Sequence, residues 1–252
     1  MTAKTYQMDL SFQPVVRLNS GDLDHHEILA GVPGADLERL PDGVLDAAGD
    51  LGAAIDLAVC HGAIQLLKAR PNDKLLLPLS WRSCALDSFR NELLSVLRTD
   101  PAVRSRLILE FIAADDLLSV EEGSNYLAAL RRQGCRICLS HFGSSSASYR
   151  FLRYLDVDYV KIDSNFFTAA LTDPCERRLL NDVCALCQEL DYRSIATGID
   201  DSQLADMAAQ LGFTMGQGRI YGLSQNDLPA NPLAYSHFGY AAAPSCAPFF
   251  LN

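Results

Sequence analysis

The sequence of 252 residues predicts an α/β fold, an irregular (β/α)8 barrel of the TIM type whose first two strands form an antiparallel pair. Three observations carry that expectation. Short apolar, β-rich runs recur eight times along the chain. Stretches with apolar residues at three- and four-residue spacing separate most of them, which implies crossover helices and a mainly parallel sheet, and eight such strands in a chain of this length close into a barrel. The first two runs, however, are joined only by "RLNSGDLD", which is too short for a crossover helix. That pair is therefore expected to be antiparallel.

In chain order the strands are expected at residues 7–16 ("QMDLSFQPVV"), 25–32 ("HHEILAGV"), 74–80 ("KLLLPLS") and 106–112 ("RLILEFI"). The remaining four are expected at 136–142 ("RICLSHF"), 159–166 ("YVKIDSNF"), 193–199 ("RSIATGI") and 215–221 ("MGQGRIY"). Helical patterns lie between them at "GAAIDLAVCHGAIQLLKA", "VEEGSNYLAALRRQG" and "PCERRLLNDVCALCQEL". Pro174 suits a helix start and Gly134 a helix stop. Residues 1–224 read as the barrel domain. Residues 225–252, rich in Pro, Ala and aromatics, read as a tail that packs on or near the barrel or mediates a contact.

Hydrophobic residues make up 49% of the chain and charged ones 21%, enough apolar material for a substantial core. The net charge of −10 argues against nucleic acid and acidic membranes as partners. No apolar run is long enough to span a bilayer and the first residues lack an apolar signal core, so the expectation is a soluble, cytoplasmic protein. Of eight cysteines, Cys135/Cys138 and Cys184/Cys187 have metal-site spacing. The first pair falls at a strand, where positions three apart face opposite ways, and the second on an apolar helix face. Both pairs read as buried, reduced thiols.

Function in such a barrel collects at the C-terminal ends of the strands. The residues there are Gln13, Glu27, Pro78, Glu110, Ser140, His141, Lys161, Asp163, Thr197, Asp200 and Gln217. Glu27 and Glu110 interrupt apolar runs, which costs several kcal/mol unless each is paired or metal-bound, and Lys161 is the natural partner.

Six segments now stand in a telling order: "FQPVV", "HEILAG", "LILEFIAA", "LSHFGSSSASYRFLRYLDVDYVKID", "IATGIDD" and "GQGRIYG". Together they resemble the EAL domain family, named for the Glu-Ala-Leu of its second strand, over residues 12–223. The resemblance implies hydrolysis of the bacterial messenger cyclic diguanylate at a pair of divalent cations, usually Mg²⁺ or Mn²⁺. Carried over by position, Glu27 and Glu110 keep ligand carboxylates, and Lys161 and Gln217 are retained. The family's ligand asparagine is Pro78 here, its paired aspartates are Ser140 and His141, its seventh-strand glutamate is Thr197, and a second glutamate is shortened to Asp200. Two glutamates cannot satisfy two octahedral ions, so Mg²⁺ or Mn²⁺ binding is expected to be lost and Lys161 to form a metal-free ion pair.

For the dinucleotide itself, the family's arginine after Glu-Ala-Leu-Leu is Gly31, its loop aromatic is Ser146, and its Phe-Ile-Pro-Leu-Ala-Glu stretch has no counterpart in "LPDGVLDAAGDLG". Gln13, Arg153 and Gln217 remain as ligand-binding positions. The missing arginine counts against cyclic diguanylate binding. The expectation drawn from these losses is a catalytically inactive regulatory protein, acting through an unidentified protein partner in bacterial signalling. The tail and the "DSFRNELLSVLRTD" helix are its candidate contact surfaces, with ordinary packing the preferred reading for the helix. The alternatives are a metal-independent cyclic diguanylate receptor and a weak phosphodiesterase, or new chemistry on Glu110, Lys161 and His141. A homodimer through the fifth and sixth crossover regions, which include "SSSASYRFLRYL", is a further expectation of the resemblance.

Overall fold

The computed structural model describes residues 7–31, 50–98, 100–112, 120–144, 155–225, 228 and 249–250. Among these residues nine strands form one sheet: β1 (Gln7–Arg17), β2 (Leu23–Gly31), β3 (Leu75–Leu79), β4 (Leu107–Ile112), β5 (Arg136–Phe142), β6 (Tyr159–Ile162), β7 (Arg193–Ala196), β8 (Met215–Gly216) and β9 (Phe249–Phe250). The order is β2-β3-β4-β5-β6-β7-β8-β1-β9, and β1 also pairs with β2, which closes the barrel. From β2 to β8 every neighbouring pair is parallel. β1 runs antiparallel to both β2 and β8, as the short connection between the first two strands requires. At the chain's far end, Phe249–Phe250 adds to the edge of β1 opposite Gln7 and Met8.

Helices cover the outside: α1 (Asp50–Ala69), α2 (Trp81–Ala85), α3 (Asp87–Arg98), α4 (Pro101–Arg104) and α5 (Val120–Arg132), then α6 (Ser164–Ala169), α7 (Pro174–Glu189) and α8 (Ser202–Gln210). Side-chain oxygens of Asp100, Asp163, Asp173 and Asp201 accept from the first backbone N–H groups of α4, α6, α7 and α8. These aspartates satisfy donors that no helical partner can reach. Pro174 opens α7. Gly134, at φ +93°, follows α5 in the left-handed region that favours glycine.

Strand alternation divides the core into two layers. Val15, Leu76, Ile108, Cys138, Tyr159, Ile195 and Met215 fill the lumen. Leu75, Leu77, Leu109, Ile137, Leu139 and Val160 point outward into the larger layer beneath the helices. Strands buried on both faces explain why they read as nearly continuous apolar runs. The α3 helix turns Phe89, Leu93 and Leu97 into this core, so that face of "DSFRNELLSVLRTD" is packing, as expected for it.

Three strands end earlier than expected. β6 stops at Ile162 because Asp163 caps α6, so Asn165 and Phe166 are helical. β7 ends at Ala196, before the turn at Gly198, whose φ is +75°. β8 is only Met215–Gly216, and residues Arg219–Tyr221 form a 3₁₀ turn. Gly218 permits this break: a Cβ there would lie 2.2 Å from the Ile199 carbonyl oxygen. Both cysteine pairs are buried, with Cys135 in the outer layer, Cys138 in the lumen, and Cys184 and Cys187 on α7. Burial pushes the Cys135 and Cys184 thiols up to about 12 and Cys187 to about 11. Among the described residues no helix is long and apolar enough to cross a membrane.

Candidate functional site

The C-terminal ends of the parallel strands surround an open cleft of about 310 Å³. Gln13, Glu27, His141, Lys161, Asp163, Thr197, Asp200 and Gln217 all line it, together with Ser164, Gly198 and Gly218. Sequence reasoning had not singled out the last three. The glycine spacing in "IATGIDD" and "GQGRIYG" is the signal that marks two of them.

A continuous polar belt crosses the floor of the cleft. Lys161 of β6 places Nζ 2.7 Å from Glu27 Oε2 of β2 and 3.4 Å from Glu110 Oε1 of β4. Gln217, just past β8, donates from Nε2 to Gln13 Oε1 of β1 at 3.2 Å and, more tightly, to Glu27 Oε2. Five strand ends thus meet through five side chains. All three charged members are buried: Glu27 is 2% exposed, Glu110 1% and Lys161 6%. Lys161 offsets the desolvation of two carboxylates at once, and the second oxygen of Glu110, Oε2, is buried without a hydrogen-bond partner. Below this layer sits Cys138, whose thiol is pushed well up by burial and then by the nearby Glu110 charge.

The remaining family positions are turned to other tasks. Pro78 lies beside Glu110 in the β3–β4 register and offers no side-chain oxygen. Ser140 is fully buried and donates to the Phe111 carbonyl at 3.4 Å. Thr197 donates to the Ile162 carbonyl at 2.7 Å. His141 is a non-glycine residue at φ +53°, with Nδ1 3.6 Å from Asp163 Oδ2. Asp163 spends its other oxygen capping α6. Asp200 pairs with Arg219 at 3.0 Å and accepts from that residue's backbone N–H. Arg153 and Ser146 lie outside the described residues.

Among the described residues, Glu27, Glu110, Asp163 and Asp200 are the carboxylates at or beneath this cleft, each already engaged. A divalent ion such as Mg²⁺ needs several oxygen ligands. Of the positions to which the family resemblance assigns such ligands, Pro78 offers a ring carbon, Ser140 and Thr197 hydroxyls committed to carbonyls and His141 an imidazole, while Glu27 and Glu110 keep carboxylates. Among the described residues no group of three or more His, Cys, Asp or Glu side chains could hold a metal.

The chain is 26% identical to the cyclic di-GMP phosphodiesterase PdeF of Escherichia coli K12 over 223 residues, 86% of this chain and 30% of that protein. It is 25% identical to the probable cyclic di-GMP phosphodiesterase PdeB of the same organism over 83% of this chain and 41% of that one. It therefore spans well under half the length of these relatives. In structure it is similar to the FimX EAL domain from Pseudomonas aeruginosa bound to c-di-GMP, with a TM-score of 0.76 at 24% identity, covering 89% of this chain and 93% of that one. At that identity the likeness speaks for the fold.

These findings correct the expectation of a catalytically inactive regulator working through protein contact. The matched relatives are named for cyclic di-GMP hydrolysis, not for a protein partner. The expectation rested on the metal ligands missing by position. The cleft and its belt are nonetheless built. The EAL domain model matches residues 2–224, and the chain belongs to the EAL domain family.

Proposed function

We propose that this chain binds cyclic di-GMP in the cleft at the barrel mouth and that binding does not depend on a divalent cation. The observation that carries this reading is the buried belt of Gln13, Gln217, Glu27, Lys161 and Glu110 beneath an open cleft, with the Lys161 ammonium between the two buried glutamates. Lys161 neutralises one carboxylate without any ion. The cleft's rim suits the rest of the ligand. Carboxylates such as Asp200 accept from the N–H edge of guanine, and Arg219, whose side chain is 69% exposed, is the cation beside it for a phosphodiester.

Calorimetric titration of the pure chain with cyclic di-GMP, with and without Mg²⁺, tests the proposal. Heat of binding that is equal in both conditions supports it, and Arg219→Ala should then weaken affinity by about tenfold, the usual loss for one charge-assisted contact. Absence of heat in both conditions, with an unchanged melting temperature, overturns it. The relatives' names favour a second reading, hydrolysis. Binding only with Mg²⁺, accompanied by the linear dinucleotide on chromatography, would establish that reading instead.

A further inference from the structure

The opposite end of the barrel carries a concentration of positive charge that the cleft does not use. β5, β6 and β7 are consecutive in the sheet, and their first residues are Arg136, Tyr159 and Arg193. Strand parity turns all three toward the lumen. Arg136 lies two before Cys138, which pairs with Tyr159. Tyr159 in turn pairs with Arg193. Both guanidinium groups donate from Nη1 to the Tyr159 hydroxyl, each at 3.0 Å. The two cationic nitrogens therefore lie within twice that distance of each other, with a phenol between them. The Arg193 guanidinium also sits over the Tyr159 ring, 5.5 Å from its centroid.

The phenol is a neutral acceptor. Burial pushes the Tyr159 hydroxyl up, away from ionisation. Neither arginine has a carboxylate within ion-pair distance among the described residues. Of the buried carboxylates toward this end, Asp24 is already taken by Arg17 at 2.6 Å, His25 at 3.0 Å and Lys74 at 3.5 Å, and Asp73 by Arg70. Asp158 forms an ion pair with Arg131 at 3.3 Å and accepts from the Ile137 backbone N–H. In a chain of net charge −10, the cations Arg17, Lys74, Arg131, Arg136 and Arg193 stand with the acids Asp24 and Asp158, each already paired, and the charges of both acids also act on Arg136. Like charges at such separation repel unless an anion lies between them, and a planar guanidinium fork is matched to oxyanions.

We propose that the barrel floor is an anion site in which Arg136 and Arg193 take a phosphoryl group. It lies at the end of the barrel away from the dinucleotide cleft and does not depend on that reading. The experiment is a thermal melt of the full chain in inorganic phosphate and in pyrophosphate, each at an ionic strength matched with chloride. Phosphate at ten times its dissociation constant should raise the melting temperature by about 4 °C in the natural chain. In Arg136→Gln/Arg193→Gln the increment should fall to less than half, while Tyr159→Phe, which keeps both cations, retains most of it. If the double variant fails to fold, Arg193→Gln alone serves, because that residue is exposed and its loss is tolerable. Equal increments in the natural chain and the arginine variants would show a general salt effect on the folded state and overturn the site.

Discussion

Lys161 stands 2.7 Å from one buried carboxylate and 3.4 Å from another, and this defines what its removal would do. A buried ion pair contributes little net stability against a well-packed apolar alternative, but breaking one by deleting a partner leaves charge in a low dielectric. Lys161→Met leaves two such carboxylates. The expected cost is about 3 to 5 kcal/mol, seen as a fall of roughly 10 °C in melting temperature. A fall within 2 °C would mean that the belt is well hydrated in solution and that Lys161 is not its support. The residue types at this site were legible in the sequence, because Glu27 and Glu110 break apolar runs and Lys161 ends one. What each neutral replacement does instead was not legible. That the Thr197 hydroxyl ties β7 to the Ile162 carbonyl of β6, and that Ser140 reaches Phe111, depends on side-chain rotamers and neighbouring strand ends.

β2 concentrates ionisable groups in a way that makes the whole strand pH-sensitive. Asp24, His25, His26 and Glu27 are consecutive, and all are buried. Burial works against the Asp24 charge, but the His25 hydrogen bond at 3.0 Å, Lys74 and Arg17 hold its carboxyl well below the usual carboxylate range. Burial pushes His25 down, against the pull of Asp24 and Glu27 and with the help of Lys161. Burial also pushes His26 down to about 4, opposed by Asp73 and assisted by His25 and Arg70. Both imidazoles are thus neutral in the fold and take up protons when it opens. The unfolded chain binds more protons below its histidine pKa, so stability present above about pH 6.5 is lost as pH falls toward 4. The His26 contribution alone is about 3 kcal/mol across that window. Urea midpoints measured from pH 7.5 to 4.5 should therefore decline well before the carboxylates titrate. His26→Gln should flatten the decline, and an unchanged slope in that variant would place the sensitivity elsewhere. Element boundaries show the same limit of local reading. The run "YVKIDSNF" reads as one strand by composition, yet Asp163 is a helix cap in its middle. An Asp followed by Ser-Asn carries that signal, but apolar Phe166 masks it.

At the scale of the whole molecule the barrel follows from repetition. Parallel order, closure and the antiparallel opening pair each rest on strand number, helix spacing and one short connection, all of which are local. The belt is different. Gln217 and Glu27 are 190 positions apart, and only closure through β1 brings them together. A scaffold that closes correctly leaves the chemistry of its mouth to a few side chains, and this chain tests that directly. Pro78→Asn, Ser140→Asp, His141→Asp and Thr197→Glu together would restore the oxygen donors that the family resemblance assigns to those positions. Without metal, this variant carries three added carboxylates beside the existing two, with Lys161 the cation among them. It should be less stable than the natural chain by several kcal/mol, since unpaired buried charge is costly. Mn²⁺ should recover that loss, because an ion that binds only the folded state stabilises it by mass action. The expected result is a melting temperature that rises by at least 5 °C with saturating Mn²⁺ in the variant and by less than 1 °C in the natural chain, by the same linkage. An equal rise in both would mean that Glu27 and Glu110 already suffice to hold an ion, with Lys161 displaced from between them. No rise in either would mean that the backbone at Pro78 and the left-handed turn at His141 have moved the strand ends out of ligand geometry, so that residue identity alone no longer decides the site.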